Sequence, residues 1–143
     1  RVSLDDFSGT ASLLEKNQIG LRSFVLLQPP FVPENESVEW AKRSVDYSKE
    51  CGATVTCIIP TRTGPGAMDT LAKAGKFNEP TLGQLEDTMD ASIGIPNHRV
   101  FADLWDLERF STCPTCFDAR RARLEEINNS QVPLDRIDCD CCH

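Results

Sequence analysis

The sequence predicts an α/β domain of parallel βα units, on three observations. Segments with helical apolar spacing alternate with short β-branched runs. The runs are the kind that a sheet buries. The connections between them are helix-length, which joins strands by right-handed parallel crossovers and not by hairpins. At 143 residues the chain is one domain's worth, long enough for a sizeable core.

Leu4, Phe7, Ala11 and Leu14 repeat at helical spacing and predict a first helix, with Asn17 as a candidate left-handed cap. "LRSFVLLQ" follows, and its four consecutive apolar residues Phe24–Leu27 predict a strand covered on both faces, stopped by "PPF". "ENESVEWAKRSVDYSKECG" predicts a second helix with Val38, Ala41 and Val45 on one face and Gly52 just past its end. "ATVTCII" is the second strand, broken by "PTRTGPG". A short helix near Met68–Ala74 ends at Gly75, and Thr81 with Gln84 forms a capping box for a helix carrying Leu82, Leu85 and Met89. "RVFADLW" is the third strand. Pro114 suits a first helical position, so "CFDARRARLEEI" reads as the last helix.

A helix opens the chain with no strand before it, and the first residue is Arg1 where Met is usual. Three strands are also few for a free-standing sheet, whose modal size is about four to six. Together these predict a truncated domain with residues 1–112 forming βα units and residues 113–143 a cysteine-rich helix and tail.

The formal charge of −7 argues against general nucleic-acid backbone binding, which needs a basic footprint, but leaves room for a small anion held by a local arginine. No apolar run reaches membrane-spanning length and the start carries no signal-peptide core, so a cytoplasmic, membrane-free protein is expected.

In open parallel sheets and βα barrels, ligands bind beyond the carboxyl ends of the strands. Those ends carry Gln28, Pro29 and Pro30, then Thr61, Arg62, Thr63 and Gly64, then Asp103, Asp106, Glu108 and Arg109. Arg62 is placed to grip a carboxylate. Asp103 lies in an otherwise apolar strand and needs either an open cleft or a partner, for which Arg109 and Arg120 are the candidates. Cys51 and Cys57 read as small core residues.

The other five of the seven cysteines crowd the C-terminus as Cys113, Cys116, Cys139, Cys141 and Cys142. A disulfide scaffold would spread its cysteines along the whole chain, so this cluster points to metal or redox chemistry. Cys113 and Cys116 bracket a helix start, where the dipole stabilises thiolate. The stretch "NNSQVPLDRID" is long enough to fold back and bring the later thiols to them, completing a site for zinc or an iron–sulfur cluster, with His143 as a possible substitute ligand. A closed zinc staple pinning the tail is the leading expectation. The rival is thioredoxin-like dithiol exchange with Cys113 as nucleophile and Cys116 resolving.

The stretch from "DDFSGTASLLEKNQIGLRSFVLLQPPF" through "CGATVTCIIPTR", with "FADLWDLERF" leading into "CPTCFDARRARLEEINNSQ", resembles the C-terminal half of a radical S-adenosylmethionine enzyme. The branch it resembles lies near the archaeosine-synthesis and Elongator-type iron–sulfur oxidoreductases. The resemblance implies the C-terminal part of a TIM-like (βα)6 partial barrel, whose partner is the remainder of its own barrel. It implies reductive cleavage of S-adenosylmethionine at a [4Fe–4S] cluster and hydrogen abstraction from a small-molecule substrate. It places Gln28, Pro29, Thr61 and Arg62 near cofactor or substrate, and likens the terminal cysteines to metal-binding C-terminal extensions. The CxxxCxxC loop that holds the family's cluster is absent from these residues, so the chain alone is not expected to perform that chemistry.

Overall fold

A computed structural model describes residues 2–140. The order is α1 (Leu4–Lys16), β1 (Arg22–Leu27), α2 (Ser37–Glu50), β2 (Val55–Pro60), α3 (Ala67–Lys73), α4 (Leu82–Ser92), β3 (Arg99–Ala102) and α5 (Pro114–Ser130). Short 3-10 turns at Glu34–Glu36 and Leu107–Phe110 lead out of β1 and β3. The strands form one sheet in the order β1-β2-β3, and both pairs are parallel. Arg22 pairs with Val55 and Leu27 with Pro60; Val55 in turn pairs with Arg99 and Ile58 with Ala102. The expected α/β class with parallel strands is therefore present as a mixed fold of three strands and five α-helices among the described residues. No helix among them is long and apolar enough to cross a membrane.

Local chemistry sets most helix boundaries. Ser3 and Asp6 close a capping box on α1, and Thr81 and Gln84 close the expected one on α4. Pro114 opens α5, where its missing N–H is not needed. The end of α1 differs from expectation. Asn17 keeps a negative φ and donates its side-chain amide to Leu13 O at 2.8 Å, while Gln18 takes the left-handed conformation at φ 57°.

The core lies on one face of the sheet. Val25, Leu27, Ile58, Val100 and Ala102 meet Ala41 and Val45 of α2, Leu82, Leu85 and Met89 of α4, and Leu124 and Ile127 of α5. Ile58 is wholly buried at the centre of β2, and truncating such a residue to Ala costs about 2–5 kcal/mol. On the same face the Ser23 and Thr56 hydroxyls bond to each other at 2.7 Å, so their burial leaves no polar atom stranded.

The opposite face corrects the expectation that the Phe24–Leu27 run is covered on both sides. β1 strictly alternates between exposed and buried residues. Phe24 is 63% and Leu26 50% exposed. All three elements packed against the sheet stand on the other face, so the run's outward side chains meet none of them.

The far edge of β3 is closed by two side-chain amides of α5 and its cap. Gln131 accepts from Val100 N at 2.9 Å and donates to Val100 O at 2.9 Å. Asn128 does the same for Ala102, at 2.8 and 3.0 Å. Each amide stands in for one residue of a neighbouring strand, which ends the sheet there.

Candidate metal centre and the strand-exit rim

Cys113 is the N-cap of α5 and Cys116 lies in its first turn, so the helix start itself sets these two thiols side by side. Both are buried, and Cys139 joins them from the tail. The three Sγ atoms lie within 4.8 Å of one another, and Cys113 Sγ and Cys139 Sγ are 3.8 Å apart. Thiolates about 2.3 Å from a tetrahedral zinc sit about 3.8 Å from each other, so this spacing fits a mononuclear ion. A [4Fe–4S] cluster binds each thiolate through a different iron and holds the sulfurs farther apart, and a [2Fe–2S] cluster takes only two thiolates per iron, so a third would stand away from the other two. Cys141, Cys142 and His143 lie outside the described residues.

The tail reaches the thiols because arginines clamp it. Glu86 of α4 is 2% exposed at its side chain and receives Arg120, Arg123 and Arg136. Arg123, also almost wholly buried, donates to Leu134 O and to Asp135 O, the latter from Nε at 2.8 Å, and pairs with Asp90 at 2.7 Å. Arg136 pairs with Asp87 and Asp90, each at 2.6 Å. The polypeptide is thereby fixed just before Cys139. Arg120 connects this hub to the thiols. Burial pulls its guanidinium pKa down, but hydrogen bonds and charge from Glu86 and then Cys116 hold it above the ordinary arginine value.

The strand exits form a second polar region. Leu27 and Pro60 are register partners, so Gln28 and Thr61 leave adjacent strands side by side. Thr61 donates its hydroxyl to Leu27 O at 2.7 Å. Gln28 takes a left-handed φ of 56° and is buried; its Nε2 donates to Val32 O at 3.1 Å, while Oε1 has no hydrogen-bond partner among the described residues. Pro29, half-buried, lines the groove beside β1.

Arg62 is engaged by the protein. Its Nη2 pairs with Asp103 Oδ2 at 3.1 Å and donates to Trp105 O, and the guanidinium lies 4.8 Å from the Trp105 ring centroid. The partner of Asp103 is thus Arg62; the arginines expected for that role are occupied elsewhere. Arg120 serves Glu86, and Arg109 serves Glu79 and Asp106.

Two acids that matter here did not stand out in the sequence. Glu79 accepts from Thr63 N and Thr63 Oγ1, each at 2.5 Å, and pairs with Arg109 at 2.5 Å. Burial pushes its carboxyl up, but the Thr63 hydrogen bonds and the Arg109 guanidinium outweigh that and leave it below its ordinary value. Nothing local marks Glu79, which sits between two helices. Glu86 did carry a signal. It falls on the same helical stripe as Leu82, Leu85 and Met89, an acid in an apolar row opposite the basic run "ARRAR".

Comparison of the chain with protein-family models, with curated proteins and with solved structures finds no match.

Proposed function

We propose that the C-terminal part of the chain is a structural zinc site in which Cys113, Cys116 and Cys139 bind one ion and staple the tail to the start of α5. The observation that carries this reading is the separation of the sulfurs, which suits one ion and not a cluster. Burial of Cys113 and Cys116 favours it over dithiol exchange, because an attacking thiol must be reached by its substrate. A cytoplasmic location accords with thiols kept reduced. Elemental analysis of anaerobically purified protein, read with its absorbance spectrum, tests the assignment. Stoichiometric zinc without a visible charge-transfer band is expected; iron with such a band overturns it.

A second reading concerns the other rim. We propose that the chain is the C-terminal part of a (βα)6 partial barrel whose full form cleaves S-adenosylmethionine reductively. In it Gln28, Pro29, Thr61 and Arg62 border the cofactor or a small-molecule substrate. What favours this is the buried Gln28 amide with an unpartnered Oε1 beside the exit of β2, together with helices packed on one face of a parallel sheet. Arg62 takes part as a positioning residue, since Asp103 and Trp105 already hold its Nη2. Calorimetric titration with S-adenosylmethionine tests it. Binding that Gln28→Ala weakens is expected, and no heat at saturating cofactor refutes it.

A further inference from the structure

The two edges of the sheet are treated differently. Asn128 and Gln131 close β3 with amides that imitate a strand. Along β1 there is instead a groove of about 1060 Å³, walled by Leu4 and Phe7 of α1 and by Trp40 and Tyr47 of α2, with Phe24 and Leu26 on its floor. Its volume lies just above the ~300–1,000 Å³ typical of small-molecule pockets.

Backbone direction along β1 follows from its bonds to β2. Thr54 N donates to Leu21 O at 3.2 Å and Thr61 N to Leu27 O at 3.0 Å. Peptide groups alternate sides along a strand, so Leu21, Ser23, Val25 and Leu27 address β2. The N–H and C=O groups of Arg22, Phe24 and Leu26 therefore point away from the sheet and into the groove. Such a row selects an extended backbone over any other ligand.

We propose that this edge takes up one extended strand of a partner polypeptide, about six residues long and apolar on both faces. Apolar residues are required on one side by Leu4 and Phe7 and on the other by the open face of Phe24 and Leu26. A second copy of this chain does not fit the role. α1 already stands in the helix layer beyond the edge, tied to α2 by the bond from Tyr47 Oη to Leu4 O at 2.8 Å and by the Phe7–Tyr47 ring contact. A copy paired edge to edge brings its own α1 into that layer and a like charge of −7. What fits beneath α1 is a strand without a helix of its own. This inference is independent of the zinc site; the partial-barrel reading is its rival, since there the preceding strand of the same barrel occupies this edge.

Amide hydrogen exchange on the full chain tests it, using as probe a lysine-flanked Val-Ile-Val-Ile-Val peptide. In the chain alone the Arg22, Phe24 and Leu26 amides exchange faster than those of Ser23, Val25 and Leu27. Excess probe slows the first three by about tenfold or more and leaves the others unchanged. A probe N-methylated at alternate residues gives no protection, and Phe24→Pro removes an outward N–H and abolishes binding. Absence of slowing overturns the proposal. So does equal protection by the N-methylated probe, which means side-chain binding alone. Protection that grows with protein concentration without probe also overturns it, since the occupant is then a second copy.

Discussion

Arg62 and Asp103 join the exits of β2 and β3 through an ion pair of 3.1 Å, beneath the ring of Trp105. Asp103 also accepts from Trp105 N at 3.1 Å, so one carboxylate fixes both the arginine and the turn after β3. Both side chains are mostly shielded from water, at 15% and 26% exposure, and each loses more than an exposed pair would when its partner goes. Asp103→Asn is expected to lower stability by about 1–2 kcal/mol in urea unfolding. The Arg62→Ala/Asp103→Asn double-mutant cycle should return a coupling of about 1 kcal/mol, and additive effects would show that the pair does not interact.

Glu86 holds three arginines, and its neutral isostere is a sharper probe of the fold than any surface pair. Glu86→Gln keeps the shape but leaves the buried Arg123 with Asp90 as its remaining carboxylate. A loss of about 3 kcal/mol is expected, since breaking a buried pair on one side strands its partner. Thermal unfolding of the variant beside Asp87→Asn, whose carboxylate is 56% exposed and should cost under about 1 kcal/mol, makes the contrast.

These sites differ in how readable they were. The capping box of Thr81 and Gln84 and the start of α5 at Pro114 depend on residues a few positions apart, and local pattern finds them. The open face of β1 was hidden because Phe24-Val25-Leu26-Leu27 has one composition whether both sides are covered or only one; the missing cover is a matter of topology. Glu79 and Arg109 meet across 30 residues with no periodicity to announce them. The amides of Asn128 and Gln131 look like any polar helix end until β3 is laid beside them. The approach of Cys139 to Cys113 and Cys116 was legible as an expectation from spacing. The arginines that enforce it were not, because their partners lie on α4.

Glu79 gives the protein an acid-sensitive rim. Its folded pKa is below the ordinary 4.5, so its bonds to Thr63 and Arg109 stabilise the fold above that value. The contribution disappears as pH falls through the lower folded value. For a carboxylate this near the surface it amounts to about 0.5–1 kcal/mol. Glu79→Gln should therefore be less stable than the parent at pH 7 and should converge with it in strong acid, as followed by urea unfolding across the pH range. A constant gap at all pH values would assign the loss to packing.

Arg136 lies three residues before Cys139 and pairs with Asp87 and Asp90, so it sets the position of the third thiol before any ion binds. Without that clamp the tail must be ordered at the expense of binding energy. Arg136→Ala is expected to weaken zinc about tenfold in competition with a chromogenic chelator, within the range usual for residues that orient metal ligands. Cys139→Ser should weaken it far more, and Cys51→Ser, at the end of α2, should leave it unchanged. Zinc should raise the unfolding temperature of the parent and of Arg136→Ala, to a smaller degree in the variant, because an ion bound to the folded chain alone stabilises it in proportion to its occupancy. If Arg136→Ala binds zinc as tightly as the parent, the thiols find one another without the clamp, and the ion organises the tail.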